Sequence, residues 1–246
     1  MKKNILITGG SSGIGKGIAD YFYHKGWNVL VTGRDKDKLS AIKLELPKVY
    51  TLYYNSLEER GISDIVDFIA GEWDSKLHVL VNGAGHVELG DLKNIQKESL
   101  VKMYQAHLIG PTLLTSKCID FLEAVKGQIL NITSSHGIKV YPQTSAYGSA
   151  KAGLNMLTKI WALELAPLGI SVNALAPGPT DTGILKSAGY TDESIQKIHA
   201  SEKAAIPLKR RGEVADIVSK AILLLDAGSN WTTGVILPVD GGISIS

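Results

Sequence analysis

The chain has 246 residues, 44% of them hydrophobic and 20% charged, with 26 Gly and 8 Pro, an ordinary globular balance that supplies one large core. Its 26 basic and 24 acidic residues leave a formal charge of +2 and are spread along the sequence. That argues against nucleic acid as a partner, because phosphate binding draws on basic residues concentrated on one face. Cys118 is the only cysteine, so no intrachain disulfide forms, and its apolar surroundings read as a packed core thiol.

The opening segment, Met1-Lys2-Lys3-Asn4-Ile5-Leu6-Ile7, starts like a secretory signal. Its apolar run stops at Thr8-Gly9-Gly10, too short for such a signal, and reads instead as a first strand. No stretch approaches about eighteen consecutive apolar residues, so no membrane partner is expected and the expected compartment is the cytoplasm. Strands are predicted at 4–8, 28–32, 49–54, 77–81, 127–133, 170–176 and 235–239. They are near-continuously apolar, as strands buried on both faces of a parallel sheet are. Helical periodicity occupies 13–25, 36–46, 57–73, 99–125, 145–168 and 213–225. The alternation implies right-handed crossovers and an α/β fold: a single doubly wound domain over 1–246, with a seven-stranded parallel sheet flanked by helices. Residues 177–207 carry no clear element and read as a substrate loop.

The first strand runs into Thr8-Gly9-Gly10-Ser11-Ser12-Gly13-Ile14-Gly15, and a helix follows. A glycine turn there lets the backbone amides of Ser11 to Gly15 approach a pyrophosphate at the positive end of the helix, the arrangement of a Rossmann-type dinucleotide site. The end of the second strand should face the adenosine ribose. It offers Gly33 and Arg34 rather than a carboxylate at the strand end, and a guanidinium suits a 2′-phosphate. NADP(H) is therefore expected over NAD(H), although Asp35 lies close by. No metal is expected.

Tyr147 and Lys151 stand four residues apart on a predicted helix, so both project from one face. An ammonium group favours the phenolate of a neighbouring tyrosine, whose ordinary pKa of roughly 10 is too high for acid–base work at neutral pH. Tyr21 and Lys25 repeat the spacing in the first helix. Context separates them: Ser134 ends a strand thirteen residues before Tyr147, whereas Thr8 holds that place before Tyr21.

Thr8-Gly9-x-x-x-Gly13-x-Gly15, Asn82-Gly83-Ala84-Gly85, Ser134, Tyr147-x-x-x-Lys151, Pro177-Gly178 and Asp240-Gly241-Gly242 together resemble the classical short-chain dehydrogenase/reductases, in the manner of 3-oxoacyl-carrier-protein reductases. The resemblance covers essentially the whole chain. It implies an oxidoreductase in which Tyr147 is general acid in reduction and base in oxidation. Lys151 would hold the nicotinamide ribose and lower the tyrosine pKa, and Ser134 would hydrogen-bond the substrate oxygen. Asn82 and Ala84 would border the cofactor, and Pro177, Gly178, Thr180 and Thr182 would contact its nicotinamide end. The family's fourth catalytic residue, an asparagine, aligns with His107, whose imidazole is a candidate proton relay. The acidic residue expected at the adenine aligns with Asn55, whose amide still accepts a hydrogen bond.

Substrate-facing candidates are His86, Glu88, Ser135, His136, Tyr141 and the loop after Gly178, a set compatible with a small ketone, a cyclic ketone or a thioester. Lys209-Arg210-Arg211 reads as a solvated face, with docking of an acidic carrier protein as the alternative. The resemblance implies a homodimer or homotetramer built on the helix from Ser145 and the one ending near Val125. The reading is an NADP(H)-dependent reductase of a small carbonyl compound. The alternatives are an NAD-dependent alcohol dehydrogenase and a cofactor-binding sensor or structural subunit with a weakened active site.

Overall fold

A computed structural model describes residues 2–58, 60–226 and 231–246. Its strands are β1 (Asn4–Thr8), β2 (Asn28–Gly33), β3 (Tyr50–Tyr53), β4 (Val79–Asn82), β5 (Gln128–Ile132), β6 (Ser171–Pro177) and β7 (Ile236–Val239). They form one seven-stranded sheet in the order β3-β2-β1-β4-β5-β6-β7, every adjacent pair parallel. The chain leaves β1 toward β2 and returns to β4 on the opposite side. A crevice therefore opens at the carboxyl ends of β1 and β4, where ligands sit in sheets of this kind.

Both faces are covered, because alternate strand residues project to opposite sides. Ile5 and Ile7 of β1 pack with Ile18 and Phe22 of α1 (Gly13–His24), Ile42 of α2 (Lys36–Glu45) and Ile217 of α9 (Val214–Asp226). Leu6 points the other way, into a cluster with Ile65 of α3 (Arg60–Glu72), Leu114 and Cys118 of α5 (Gly110–Glu123) and Leu154 of α6 (Ser145–Leu165). Burial this complete is worth about 1.5–3 kcal/mol per large aliphatic side chain. The two edge strands depart from the continuous burial expected: β3 exposes Tyr50 and Tyr53, and β7 is only half-buried, with Pro238 exposed.

Two regions differ from the sequence expectation. The segment 177–207 is not irregular: it contains α7 (Ile184–Ser187) and α8 (Asp192–Ala205). None of α8 is buried, so it lacks the apolar stripe by which periodicity is read. The long helix expected over 99–125 starts earlier, as α4 (Lys97–Tyr104), and is broken by a π-helical turn, Gln105–Ile109, before α5. His107 sits in that turn, a widening often found at functional sites.

Candidate functional site

A cavity of about 630 Å³ runs along the carboxyl ends of β1, β2, β4, β5 and β6. At one end lies the glycine turn. Gly9 has φ +69°, and a Cβ there would stand 2.8 Å from the Ala84 Cα and the Gly83 carbonyl. A Cβ on Gly15 would stand 2.5 Å from the Gly9 carbonyl, so any side chain at either position would push the turn out of place. Thr8 couples the turn to the loop after β4: its Oγ1 accepts hydrogen bonds from the N–H groups of Gly83 and Ala84, each at 3.1 Å.

Ser12 is the N-cap of α1 but makes no side-chain cap, and the Lys16 N–H is the one that donates back to the Ser12 carbonyl, at 3.1 Å. Gly13, Ile14 and Gly15 line the cavity with the helix's positive end behind them, as do Gly9, Ser11 and Ser12. This cradle fits a dinucleotide pyrophosphate, and Ala84, Pro177, Gly178, Thr180 and Thr182 continue its wall. At the rim, Arg34 is exposed, lines the cavity and has no hydrogen-bond or ion-pair partner among the described residues. Asp35 also lines the cavity, and its carboxylate caps α2 by accepting from the Asp37 and Lys38 N–H groups at 3.1 Å and pairs with Lys38 at 3.8 Å.

At the other end, α6 presents Tyr147 and Lys151, and Ser134 follows β5; all three are buried and line the cavity. The Lys151 Nζ donates to the Ile132 carbonyl at 2.9 Å and lies 5.8 Å from the Tyr147 ring centroid. Burial pulls the lysine down to about 7, with no carboxylate among the described residues to offset desolvation. Burial also raises the Tyr147 phenol above its ordinary value, with the Ser134 hydroxyl opposing the rise.

His107 lines the cavity against both Gly85 and Tyr147. A Cβ on Gly85 would fall 2.3 Å from the imidazole Cε1, and the imidazole meets the Tyr147 ring edge-on at 5.5 Å between centroids. Its Nε2 lies 2.8 Å from the His86 carbonyl, which only accepts, so Nε2 carries the hydrogen and Nδ1 is a buried acceptor without a partner among the described residues. Burial, with the Lys151 charge adding to it, holds this histidine well below its ordinary pKa and hence neutral.

Several expected positions lie off this cavity or have partners within the chain. Asn82 does not line the cavity: its amide donates to Thr115 Oγ1 at 3.1 Å and Asn131 Oδ1 at 2.9 Å, tying β4 to α5 and β5. Asn55 does line it, but its amide is already engaged, donating to Glu58 at 2.7 Å and accepting the Leu57 N–H at 3.2 Å. Of the substrate-side candidates, His86 and His136 line the cavity, Glu88 lines a neighbouring one, and Ser135 and Tyr141 line neither. The structure adds Glu202 and Arg211, brought to the wall from α8 and the segment before α9 and joined as an ion pair. Nothing in their spacing announces that meeting.

Residues 9–244 match the sequence model of the family described as Enoyl-(Acyl carrier protein) reductase. The chain belongs to the short-chain dehydrogenase/reductases. It is 30% identical over 248 residues to 3-oxoacyl-[acyl-carrier-protein] reductase FabG of Thermotoga maritima, covering 99% of this chain and 98% of that protein. Glucose 1-dehydrogenase of Gluconobacter oxydans is 31% identical over 254 residues, covering 99% and 92%. Among solved structures, a short-chain dehydrogenase/reductase from Caenorhabditis elegans with cofactor superposes with a TM-score of 0.91 at 28% identity, covering 99% of this chain and 95% of that one. Members of this family are oxidoreductases that use a nicotinamide cofactor, and the seven-stranded parallel sheet is their fold. Among the described residues no helix is long and apolar enough to cross a membrane.

Proposed function

We propose that the chain is an NADP(H)-dependent reductase that converts a small carbonyl compound to its alcohol. The observation that carries this reading is one continuous cavity with Arg34 and the glycine turn at one end and Ser134, Tyr147 and Lys151 at the other. A nicotinamide held along this cavity would supply the hydride for the carbonyl carbon. The residues supply everything else. Ser134 hydrogen-bonds the carbonyl oxygen as negative charge builds on it. Tyr147 donates the phenolic proton to that oxygen, and its raised pKa keeps the proton in place until the transfer. Lys151 replenishes it: a group pulled down to about 7 exchanges protons readily at neutral pH. His107, at the position of the family's asparagine, offers Nδ1 as a fixed acceptor beside that route.

The cofactor preference rests on Arg34 having no partner among the described residues while Asp35 serves α2. A guanidinium there would pair with a 2′-phosphate, and charge-assisted bonds of this kind are worth about 1.5–3 kcal/mol. Titration with NADPH and NADH, followed by quenching of tryptophan fluorescence, should give NADPH binding at least tenfold tighter. Equal or tighter NADH binding overturns the Arg34 assignment and directs the search to alcohol oxidation with NAD. Self-association is expected through α6, where Met156, Ile160 and Leu163 are exposed at helical spacing. A monomer by light scattering at micromolar concentration would contradict it.

A further inference from the structure

A second cavity of about 380 Å³ adjoins the first, and Val87 and Leu89 line both. It is formed by the loop after β4, the first turn of α4, the start of α6 and the turn after α7. A substrate held by its carbonyl at Tyr147 and Ser134 would extend past these two side chains into it. The polar lining is rich in acceptors. Glu88 and Asp91 bring carboxylates, and two neighbouring glutamines each have one amide hydrogen committed: Gln143 Nε2 to Asp91 at 3.0 Å and Gln96 Nε2 to the Asn94 carbonyl at 2.9 Å. Beside these carboxylates and carboxamides, Asn94, Ser99 and Tyr190 complete the polar lining. Among the described residues no lysine or arginine lines it.

His136 points to the same chemistry from inside the first cavity. Its backbone N–H donates to Ser134 Oγ at 3.1 Å, and its Nδ1 lies 3.4 Å from the same oxygen. When the Ser134 hydroxyl directs its own hydrogen at a substrate oxygen, this contact is a hydrogen bond in the tautomer that carries the hydrogen on Nδ1. Burial keeps this imidazole neutral, so Nε2 is left as an acceptor on a ring that lines the cavity and packs on Tyr141 at 4.4 Å between centroids. A hydroxyl beside the reacting carbonyl would answer it.

Two members of the basic triplet near the mouth are paired with carboxylates. Arg210 holds Asp216 through two contacts of 2.6 and 2.9 Å, Arg211 lies between Asp181 and Glu202, and Lys209 Nζ donates to the Ala204 carbonyl. Both arginines of the surface read for an acidic carrier protein are thereby paired within the chain. A cationic amine next to the carbonyl would meet Lys151.

We infer, resting on the reductase reading above, that the substrate is a neutral polyhydroxylated carbonyl compound, its hydroxyls hydrogen-bonding with His136 and with the carboxylates, amides and hydroxyls of the second cavity. The test is steady-state kinetics with the preferred nicotinamide and five probes: erythrulose, 2-butanone, acetoacetate, acetoacetyl-CoA and aminoacetone. A site built to accept from hydroxyls discriminates strongly against analogues that lack them. Erythrulose should therefore exceed each of the others in kcat/KM by at least tenfold. His136→Phe and Gln96→Leu should each lower the erythrulose-to-butanone ratio by at least fivefold. Preference for butanone, an anionic probe or aminoacetone, or a ratio unmoved by both substitutions, overturns the inference and leaves the reductase reading standing. A protein that binds the dinucleotide and reduces none of the five takes both down.

Discussion

The molecule contains the same residue pair twice, and only one pair faces the cavity. Tyr21 and Lys25 on α1 match Tyr147 and Lys151 on α6 in spacing, and even in geometry, since each lysine Nζ lies 5.8 Å from its tyrosine ring centroid. Their surroundings differ. Lys25 is 40% exposed and paired with Asp226, which also accepts the Tyr21 hydroxyl at 2.8 Å; the carboxylate raises the pKa of both. Lys151 is 5% exposed with a backbone carbonyl for company, and burial drives it down to about 7. A carboxylate locks the first pair in its ordinary protonation states. Its absence leaves the second poised to exchange a proton. Spacing supplies the pair, and environment decides whether it does chemistry.

Replacing Lys151 by Met should break the contrast most sharply. Turnover should fall by about a hundredfold or more, the usual weight of a proton-handling group. Stability carries an independent signature. The folded protein releases this proton near 7 and the unfolded chain keeps it to about 10.5, so between those values the unfolded state binds more protons. Stability should therefore rise with pH by about 1.4 kcal/mol per unit across that window. Urea unfolding of the unliganded protein at pH 7 and pH 9 should show the rise in wild type, and Lys151→Met should remove it. An equal slope in both proteins would contradict the buried, unpaired lysine. Cys118, pushed up to about 12 by burial, contributes the opposite slope above its ordinary value and cancels in the comparison.

His107→Asn should have a smaller effect, keeping turnover within about tenfold. An amide can still donate to the His86 carbonyl, the contact that anchors the loop after β4. A loss of a hundredfold or more would show that the imidazole Nδ1 has a part of its own. Tyr21→Phe should do least. It deletes one hydrogen bond to Asp226, worth about 1 kcal/mol of stability by denaturant unfolding, and leaves turnover unchanged.

Much of this was legible in the sequence because the signals were local. Each strand was a short apolar run, and the glycine turn, Ser134, Tyr147 and Lys151 line one cavity. What escaped was whatever depends on partners distant in sequence. The Asn82 amide nitrogen meets Thr115 and Asn131, a junction of β4, α5 and β5 that no local pattern encodes. Helix α8 buries nothing and so shows no stripe, although Thr191, which caps it by accepting the Ser194 N–H at 3.2 Å, was a readable start signal. The ion pair of Arg211 and Glu202 spans two elements whose approach no local pattern encodes.

The most direct test of the central claim is Tyr147→Phe, with NADPH affinity and carbonyl reduction measured on the same preparation. The account predicts that affinity stays within about twofold while turnover falls at least a hundredfold. Turnover within tenfold of wild type, at unchanged affinity, would show that Tyr147 does not deliver the proton.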